Sequence, residues 1–242
     1  MRIGHKGFTM VEAAIIIVVI GLVFAGVFMG KELVEESKRQ AVINDINKFR
    51  SSFNNFKLKY NAFPGDIKNA TSYWASAGTG NGDGDEVISY ASDNFEAGRV
   101  FEHLKLSKVF LLDLSYISYT SPGNNIPKAS FSGAAFQVSS YQNVFQKNYS
   151  KNAIIFGGVS GTVYAPNVGA ISPQDAFSID SKLDDGAAGK GNLVSFSNSP
   201  ATDCISFSGG GNDTDENGDA VSYNLTSNHA LTPCLMLFYM DE

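Results

Sequence analysis

The sequence is poor in the residues from which most enzyme active sites and metal centres are built. Its 242 residues include three histidines, two cysteines and one tryptophan. The histidines are scattered, and the cysteines lack the close spacing of a zinc or redox pair. Neither a Ser-His-Asp arrangement nor a phosphate-binding glycine loop can be recognised. The sequence therefore argues against an enzyme, with hydrolysis by aspartates as the alternative that stays open.

Positive charge is also scarce. Lysine and arginine number 18 against 24 acidic residues, so the formal net charge is −6. No block of basic residues follows the first six positions, and no nucleic-acid partner is indicated. The chain is nevertheless long and apolar enough to bury a core, which excludes disorder as a global description.

The chain has one long apolar run, and that run contains one charge. Residues 8–29 are 22 residues long, which meets the length of about 20 needed to cross a bilayer. Glu12 lies within the run, where an ionised side chain costs on the order of 3 kcal/mol, so it is a functional candidate. Arg2 and Lys6 precede the run and predict a cytoplasmic N-terminus with the bulk of the chain outside.

Two simpler interpretations compete for this run. A cleavable secretory signal peptide also has a basic start and an apolar middle, but its apolar part would be shorter. A plain signal anchor explains the length. Neither interpretation gives Glu12 a role.

The apolar run continues without a break into an amphipathic segment. No proline or glycine occurs between Lys31 and Phe63, which predicts one continuous helix over residues 8–60, about 80 Å long. Large apolar residues recur at intervals of three and four, at Val42, Ile46, Phe49, Phe53, Phe56 and Tyr60. We expect this stripe to pack on the outer part of the chain, and a coiled coil is the alternative.

The segment Gly7-Phe8-Thr9-Met10-Val11-Glu12 resembles the class III signal of type IV pilins and type II secretion pseudopilins. In that family a prepilin peptidase cuts after the glycine and N-methylates the new terminal phenylalanine. The resemblance implies a leader over residues 1–7, with Gly7 before the cut and Phe8 as the N-methylphenylalanine. Glu12 would then neutralise the amino group of Phe8 on a neighbouring subunit. Many members carry a proline in the membrane segment, where this chain has only Gly21 and Gly26 as weak points.

The resemblance implies a structural subunit of a type IV pilus or a type II secretion pseudopilus. A mature length of 235 residues, 242 minus 7, favours a minor or specialised role. The implied partners are other pilin subunits, the prepilin peptidase and methyltransferase, the inner-membrane assembly platform and the lipid bilayer. The implied location is the bacterial inner membrane, single-pass with a periplasmic C-terminal domain, and afterwards a periplasmic or extracellular filament. A binding or adhesion module at the filament tip is the alternative, and a membrane-anchored periplasmic enzyme is the less favoured one.

The remainder of the chain is expected to fold as an α+β domain. Pro64 and Gly65 end the long helix and separate its amphipathic part, 31–63, from an outer domain over 64–242. Six short β-prone runs predict an antiparallel sheet laid against that helix. Several segments resemble uncharacterised proteobacterial pilin-like proteins: NAFPGD at 61–66, GNGDGD at 80–85, FEHL at 101–104 and IDSKLDDG at 179–186.

Two further helices and one disulfide are predicted in the outer domain. A helix over 93–114 would open with a capping box from Asp93 to Glu96 and contain His103 as a packed or surface residue. Another would start at Ser172, with Pro173 in its first position, and end near Gly186. In a chain that leaves the cytosol, Cys204 and Cys234 are expected to form one disulfide, and the family resemblance implies a C-terminal disulfide loop.

Three acidic segments are candidate cation sites. No cofactor is certain from the sequence, and calcium is the one candidate. Asn81, Asp83 and Asp85 alternate as the first three ligands of an EF-hand loop do, although Glu86 replaces the glycine that follows them. In a second loop, Asp213, Asp215 and Asn217 fall at ligand positions one, three and five, Gly218 falls at position six, and Asp219 is a further candidate ligand. Asn224 replaces the bidentate glutamate of position twelve. Asp180, Asp184 and Asp185 form the third candidate. Solvated turns and an acidic helix end are the alternatives.

Overall fold

The computed structural model describes residues 7–74, 80–89, 96–115, 119–140, 152–163, 165–197, 204–207, 221–226 and 234–240. Within these ranges the chain is α+β, as expected. Four α-helices are described: α1 (Met10–Tyr60), α2 (Ala70–Tyr73), α3 (Val100–Leu106) and α4 (Pro173–Leu183), with a 3-10 turn at Glu96–Gly98 before α3. The six strands are β1 (Ala134–Ser140), β2 (Asn152–Gly158), β3 (Leu193–Ser197), β4 (Ile205–Phe207), β5 (Val221–Tyr223) and β6 (Cys234–Tyr239).

The strands form two antiparallel sheets. The larger sheet has the order β1-β2-β6-β3, so the C-terminal strand β6 lies inside it. Its register pairs Phe136 with Phe156 and Phe156 with Met236. The smaller sheet pairs β4 with β5. All six β-prone runs are therefore confirmed as strands.

Helix α1 is continuous and has two different halves. Thr9 caps its start, and Asn61 ends it in the left-handed conformation (φ 51°), three residues before Pro64. Its first buried residue is Val42, Ala41 is partly buried, and the apolar residues from Met10 to Val34 are exposed. Among the described residues, α1 is the one helix that is long and apolar enough to cross a membrane. Its most apolar 18-residue window has a mean hydropathy of 2.8, and no residue of that window is buried. One half could therefore lie in a bilayer while the other half carries the domain.

The predicted stripe on the second half of α1 is the centre of the core. Phe49 is 2% exposed, and its ring meets the rings of Phe101, Phe110 and Phe136 at centroid distances of 5.2 to 5.5 Å. These three rings come from α3, the segment after it and β1. One side chain of α1 thus joins both the helical and the sheet parts of the domain, while Tyr60 at the end of the stripe is only partly buried.

The prediction of a helix over 93–114 was too long. Helix α3 ends at Leu106, because Lys108 takes a left-handed conformation (φ 60°) that a helix cannot continue through. Asp93 lies outside the described residues. The other predicted helix is confirmed: Ser172 caps α4, Pro173 opens it, and Gly186 follows with φ +75°.

The disulfide between Cys204 and Cys234 is present in the structure. It joins the residue before β4 to the first residue of β6, 30 residues further along the chain. Closing a loop of this length restricts the unfolded chain by roughly 3 to 4 kcal/mol in the entropy model. The bond therefore ties the small sheet to the large one.

Replacing Phe49 by alanine should destabilise the domain by about 3 to 5 kcal/mol, since it empties a site contacted by three other rings. The measurement is urea unfolding of the full chain in detergent, followed by the fluorescence of the single tryptophan, Trp74. The matched control is Leu58→Ala on the same helix, where the side chain is 86% exposed. We expect the control to change stability by less than about 0.5 kcal/mol. Equal effects of the two substitutions would contradict the assigned core.

Candidate functional site

The first turn of α1 forms a capping box around Glu12. The backbone N–H and the hydroxyl of Thr9 each donate to Glu12 Oε2 at 2.8 Å, and the N–H of Glu12 donates to Thr9 Oγ1 at 3.2 Å. Threonine at the cap and glutamate three residues on are the residue types this arrangement needs. Phe8 is 79% exposed beside it. The capping box therefore uses one oxygen of the only carboxylate in the apolar run.

The apolar half of α1 exposes a continuous hydrophobic surface. Large aliphatic and aromatic side chains at most positions from Met10 to Met29 are between about one half and nine tenths exposed. Contiguous exposed apolar surface of this extent marks a membrane or protein contact. This surface and the Thr9–Glu12 box together make the start of α1 the first candidate site.

A second candidate site brings four carboxylates together near the far end of α1. Asp66, Asp83, Asp85 and Glu96 each offer an oxygen, and these oxygens lie within 4.8 Å of one another. The sequence pattern identified Asp83 and Asp85. Asp66 and Glu96 were missed as ligands, because they lie outside the loop and nothing in its spacing points to them.

Asn81, the first of the three predicted loop ligands, has a different contact. Its Oδ1 accepts hydrogen bonds from the backbone N–H and the hydroxyl of Thr71, both at 3.1 Å. The side chain therefore fastens the loop to α2.

Asp66 and Glu96 hold the acidic loop by its backbone. Asp66 accepts from the N–H groups of Gly84 at 2.5 Å and Glu86 at 2.9 Å, and Glu96 accepts from those of Asp83 at 3.0 Å and Ser89 at 2.9 Å. These bonds wrap residues 83–89 around two buried carboxylates.

Glycine is required where the loop passes Asp66. A Cβ atom at Gly82 would lie 2.5 Å from the Cα of Asp66, closer than real contacts allow. The close approach of the two backbones therefore explains why the GNGDGD segment has a glycine at position 82.

Burial disfavours the charged forms of Asp66 and Glu96. It raises the pKa of Asp66 to about 6 and that of Glu96 to about 7, against the opposing effect of the backbone hydrogen bonds. Asp83 adds to both increases through charge repulsion. A concentration of negative charge with this geometry offers the oxygen ligands that calcium prefers.

His103 is a packed residue that positions the start of the outer domain. Its Nδ1 accepts the N–H of Gly65 at 2.9 Å, so the ring proton is assigned to Nε2. Trp74 lies against the ring at 5.3 Å between centroids. Burial, with the nearby charge of Arg99, lowers the pKa of His103 to about 4. The histidine is therefore neutral at physiological pH and fixes the Pro64-Gly65 turn to α3.

The third acidic segment is also brought together, but its groups have structural partners. Asp180, Asp184 and Asp185 offer oxygens within 4.8 Å of one another. Asp180 is buried and accepts the hydroxyl of Tyr223 at 2.7 Å, and burial raises its pKa to about 6. Asp184 accepts the backbone N–H groups of Asn192 and Leu193. These bonds close the end of α4 onto the strands.

The other predicted calcium loop, with Asp213, Asp215, Asn217 and Asp219, lies outside the described residues.

No protein-family model matches the chain, and neither the curated proteins nor the solved structures give a significant match. The structure by itself is pilin-like in shape, since a long N-terminal apolar helix lies on an antiparallel sheet.

Glu96 should make the folded protein less stable as the pH rises. Its pKa is raised from the ordinary 4.5 to about 7, so between these values the folded state holds a proton that the unfolded state has lost. The resulting stabilisation is complete below the unfolded pKa and is lost as the pH rises through the folded one. Asp66, Asp180 and His103 titrate as well, so the measurement must be a comparison with Glu96→Gln.

The free energy of unfolding of the natural chain minus that of Glu96→Gln should fall between about pH 5 and about pH 8. Urea unfolding at each pH measures it. Glu86→Gln, which removes an exposed carboxyl group from the same loop, is the matched control for the loss of one charge. A flat difference for Glu96→Gln would show that Glu96 is not buried as described.

Proposed function

We propose that the chain is a membrane-anchored, pilin-like subunit that assembles into a type IV pilus or a type II secretion pseudopilus. The observation that carries the proposal is the division of α1. One continuous helix runs from Met10 to Tyr60, its first half wholly exposed and its second half packed on the sheet. Such a helix has one half ready for lipid or for other copies of itself. The proposed activity is assembly, with a minor or specialised role in the filament.

Glu12 gives the assembly its axial register in this proposal. Cleavage after Gly7 by a prepilin peptidase would leave a cationic amine on Phe8. Either charge alone is costly in an apolar bundle, and the two are satisfied together only when neighbouring helices are staggered correctly. Both Thr9 bonds end on Oε2 of Glu12, so Oε1 can accept a neighbour's amine while the capping box persists.

Packing of apolar half-helices supplies the attraction. Lipid tails are as apolar as these side chains, so close contact between helices, and not transfer out of water, must favour the bundle. Gly21, Gly26 and Gly30 have nothing near the position of a Cβ, so another helix could approach there. These positions support helix contacts along the same half that carries Glu12.

A second candidate function is binding at the filament tip, and one surface favours it. Tyr60, Tyr73 and Trp74 pack on one another at centroid distances of 5.2 to 5.8 Å at the end of α1 remote from the apolar half. Tyr73 is 53% exposed. An exposed aromatic group at the outer end of the molecule is suited to contact with another molecule.

Glu12→Ala and Glu12→Gln should leave the protein in the membrane fraction but reduce its recovery in sheared filaments at least about tenfold, since the amine of Phe8 loses its partner. Quantitative mass spectrometry of the membrane and filament fractions measures both quantities. Glu32→Gln, an exposed residue on the same helix outside the apolar run, is the matched control and should assemble normally.

Undiminished filament recovery of both Glu12 variants would refute the proposed register. The same spectra report the mature amino terminus, which should be methylated Phe8. A mature chain that starts near Phe28 would show instead that the apolar run is a cleaved secretory signal peptide. Abundance separates the two candidate functions, because a tip protein is present only in trace amounts in purified filaments.

The proposal includes calcium as the ion held by Asp83 and Asp85 together with Asp66 and Glu96. Saturating calcium at about pH 8 should raise the melting temperature of the natural chain by roughly 5 °C, since an ion bound only to the folded state stabilises it. Differential scanning calorimetry measures the shift, with magnesium as the comparison ion. Asp85→Asn should abolish the shift, and Asp113→Asn, an exposed aspartate outside the cluster, should retain it. An unchanged melting temperature would remove calcium from the proposal.

A further inference from the structure

A cleft lies between α1 and α4, directly above the apolar half of α1. Its volume is about 550 Å³. Glu35 and Lys38 of α1 line one side, Phe131 lies before β1, and the start of α4 lines the other side with Gln174. The cleft thus lies just after the apolar half of α1, at the first part of the helix that contacts the domain.

Arg39 and Asp175 also line the cleft, but their ion pairs are already complete. Arg39 bonds Asp175 at 2.8 Å and Glu36 at 2.9 Å, and Lys182 bonds Glu36 as well. Asp175 and Lys182 belong to the first and last turns of α4. These four charged side chains pair with one another and join α4 to α1.

Glu35 and Lys38 are different, because they line the cleft without an ionic partner among the described residues. They are three residues apart on α1, a spacing at which a glutamate and a lysine can pair, yet no ion pair within 4.0 Å joins them. The ammonium of Lys38 lies 6.0 Å from the centre of the Phe131 ring. Besides the paired Arg39 and Asp175, the cleft therefore presents one anion and one cation that are unpaired in the described part of the chain, and an aromatic ring.

The position of the cleft along α1 is fixed by the apolar run. Glu35 is six residues and Lys38 nine residues beyond Met29, which places them about 9 Å and about 13 Å along the helix. The polar headgroup layer on each side of a bilayer is about 5 to 8 Å thick. A lysine side chain can extend several ångströms back toward that layer. If the apolar half lies in a bilayer, the cleft lies at the outer boundary of the headgroups.

We propose that this cleft binds the zwitterionic phosphoethanolamine headgroup of a membrane lipid while the subunit is stored in the bilayer. Lys38 extends back toward the bilayer to contact the phosphate, and Glu35 accepts the primary ammonium, so the headgroup lies along the membrane surface and not outward from it. Phe131 contacts the carbon atoms between them. The inference rests on the membrane anchoring in the proposed function. A bound headgroup would hold the domain against the bilayer until the subunit is extracted.

Charge complementarity selects this headgroup over the other common ones. A phosphoglycerol headgroup has no cation for Glu35 and can offer it only the hydrogen bonds of uncharged hydroxyl groups. A phosphocholine headgroup carries three methyl groups on nitrogen, so it has no N–H to donate and is bulkier. Only a headgroup with both a phosphate and a primary ammonium satisfies both side chains.

The test uses the full-length chain in nanodiscs that contain equal amounts of phosphatidylethanolamine, phosphatidylcholine and phosphatidylglycerol. Native mass spectrometry after release counts the lipids that each protein retains. We expect phosphatidylethanolamine to be retained about tenfold over the other two, as two charge-assisted hydrogen bonds imply. Lys38→Gln and Glu35→Gln should each abolish the preference. Lys57→Gln, near the far end of α1, is the matched control and should keep it.

The outcomes separate this inference from the proposed function. Failure of the protein to insert into the nanodiscs would overturn both. Insertion without a lipid preference would overturn the headgroup site and leave the anchoring intact. A preference for phosphatidylglycerol that depends on Lys38 alone would overturn recognition of the zwitterion. Unchanged Trp74 fluorescence in each variant verifies that the domain is folded.

Discussion

The burial of one face of α1 against the sheet is the contact on which the rest of the molecule depends. A helix satisfies its own backbone hydrogen bonds, so its side chains alone decide which surroundings each part can occupy. From Val42 onward the buried apolar side chains lie in a stripe, which the sheet and α3 cover, and Leu58 is exposed on the opposite side. Before that point apolar side chains surround the helix, and the domain leaves them uncovered. One unbroken helix therefore connects a part that needs lipid or partner helices to a part that is already a folded core.

Charged groups that are withdrawn from solvent have different kinds of partner at the two ends of the domain. Arg39, near the apolar half of α1, is neutralised by two carboxylates. Asp66 and Glu96, near the other end, receive backbone N–H groups instead, and burial keeps their pKa values high. Neutral donors organise the loop around these carboxylates but do not cancel their charge. At this far end of the molecule, protonation of Asp66 and Glu96 therefore acts on the stability of the loop.

Local patterns in the sequence predicted most of the elements, and contacts between distant residues account for what was missed. The spacing of Phe49, Phe53 and Phe56 was sufficient to predict the packed half of α1, because a helical period repeats within a few residues. The end of α3 was not predictable in the same way, since the left-handed conformation at Lys108 follows no residue type that demands it. The acidic cluster was half predicted. Asp83 and Asp85 are visible as loop residues, whereas Asp66 and Glu96 join them only through the turn at Gly65, where His103 holds the backbone.

Helix α4 connects the parts of the domain that a filament subunit would need to coordinate. Its 11 residues place Asp175 and Lys182 on α1 close to the apolar half, and Asp180 on Tyr223 of β5. Strand β5 lies within the loop that the disulfide closes. A displacement of α1 relative to the domain must therefore break ion pairs on one side of α4 or pull on a covalently closed loop on the other. The side chains of Lys182 and Glu36 are both 43% exposed, so their pair contributes little, whereas the covalent loop cannot open. The ion-pair side of α4 is therefore the side that would yield, and it would yield first at Lys182. The cleft at Glu35 and Lys38 lies beside those pairs, so a ligand bound there would act on the joint between the helix and the domain.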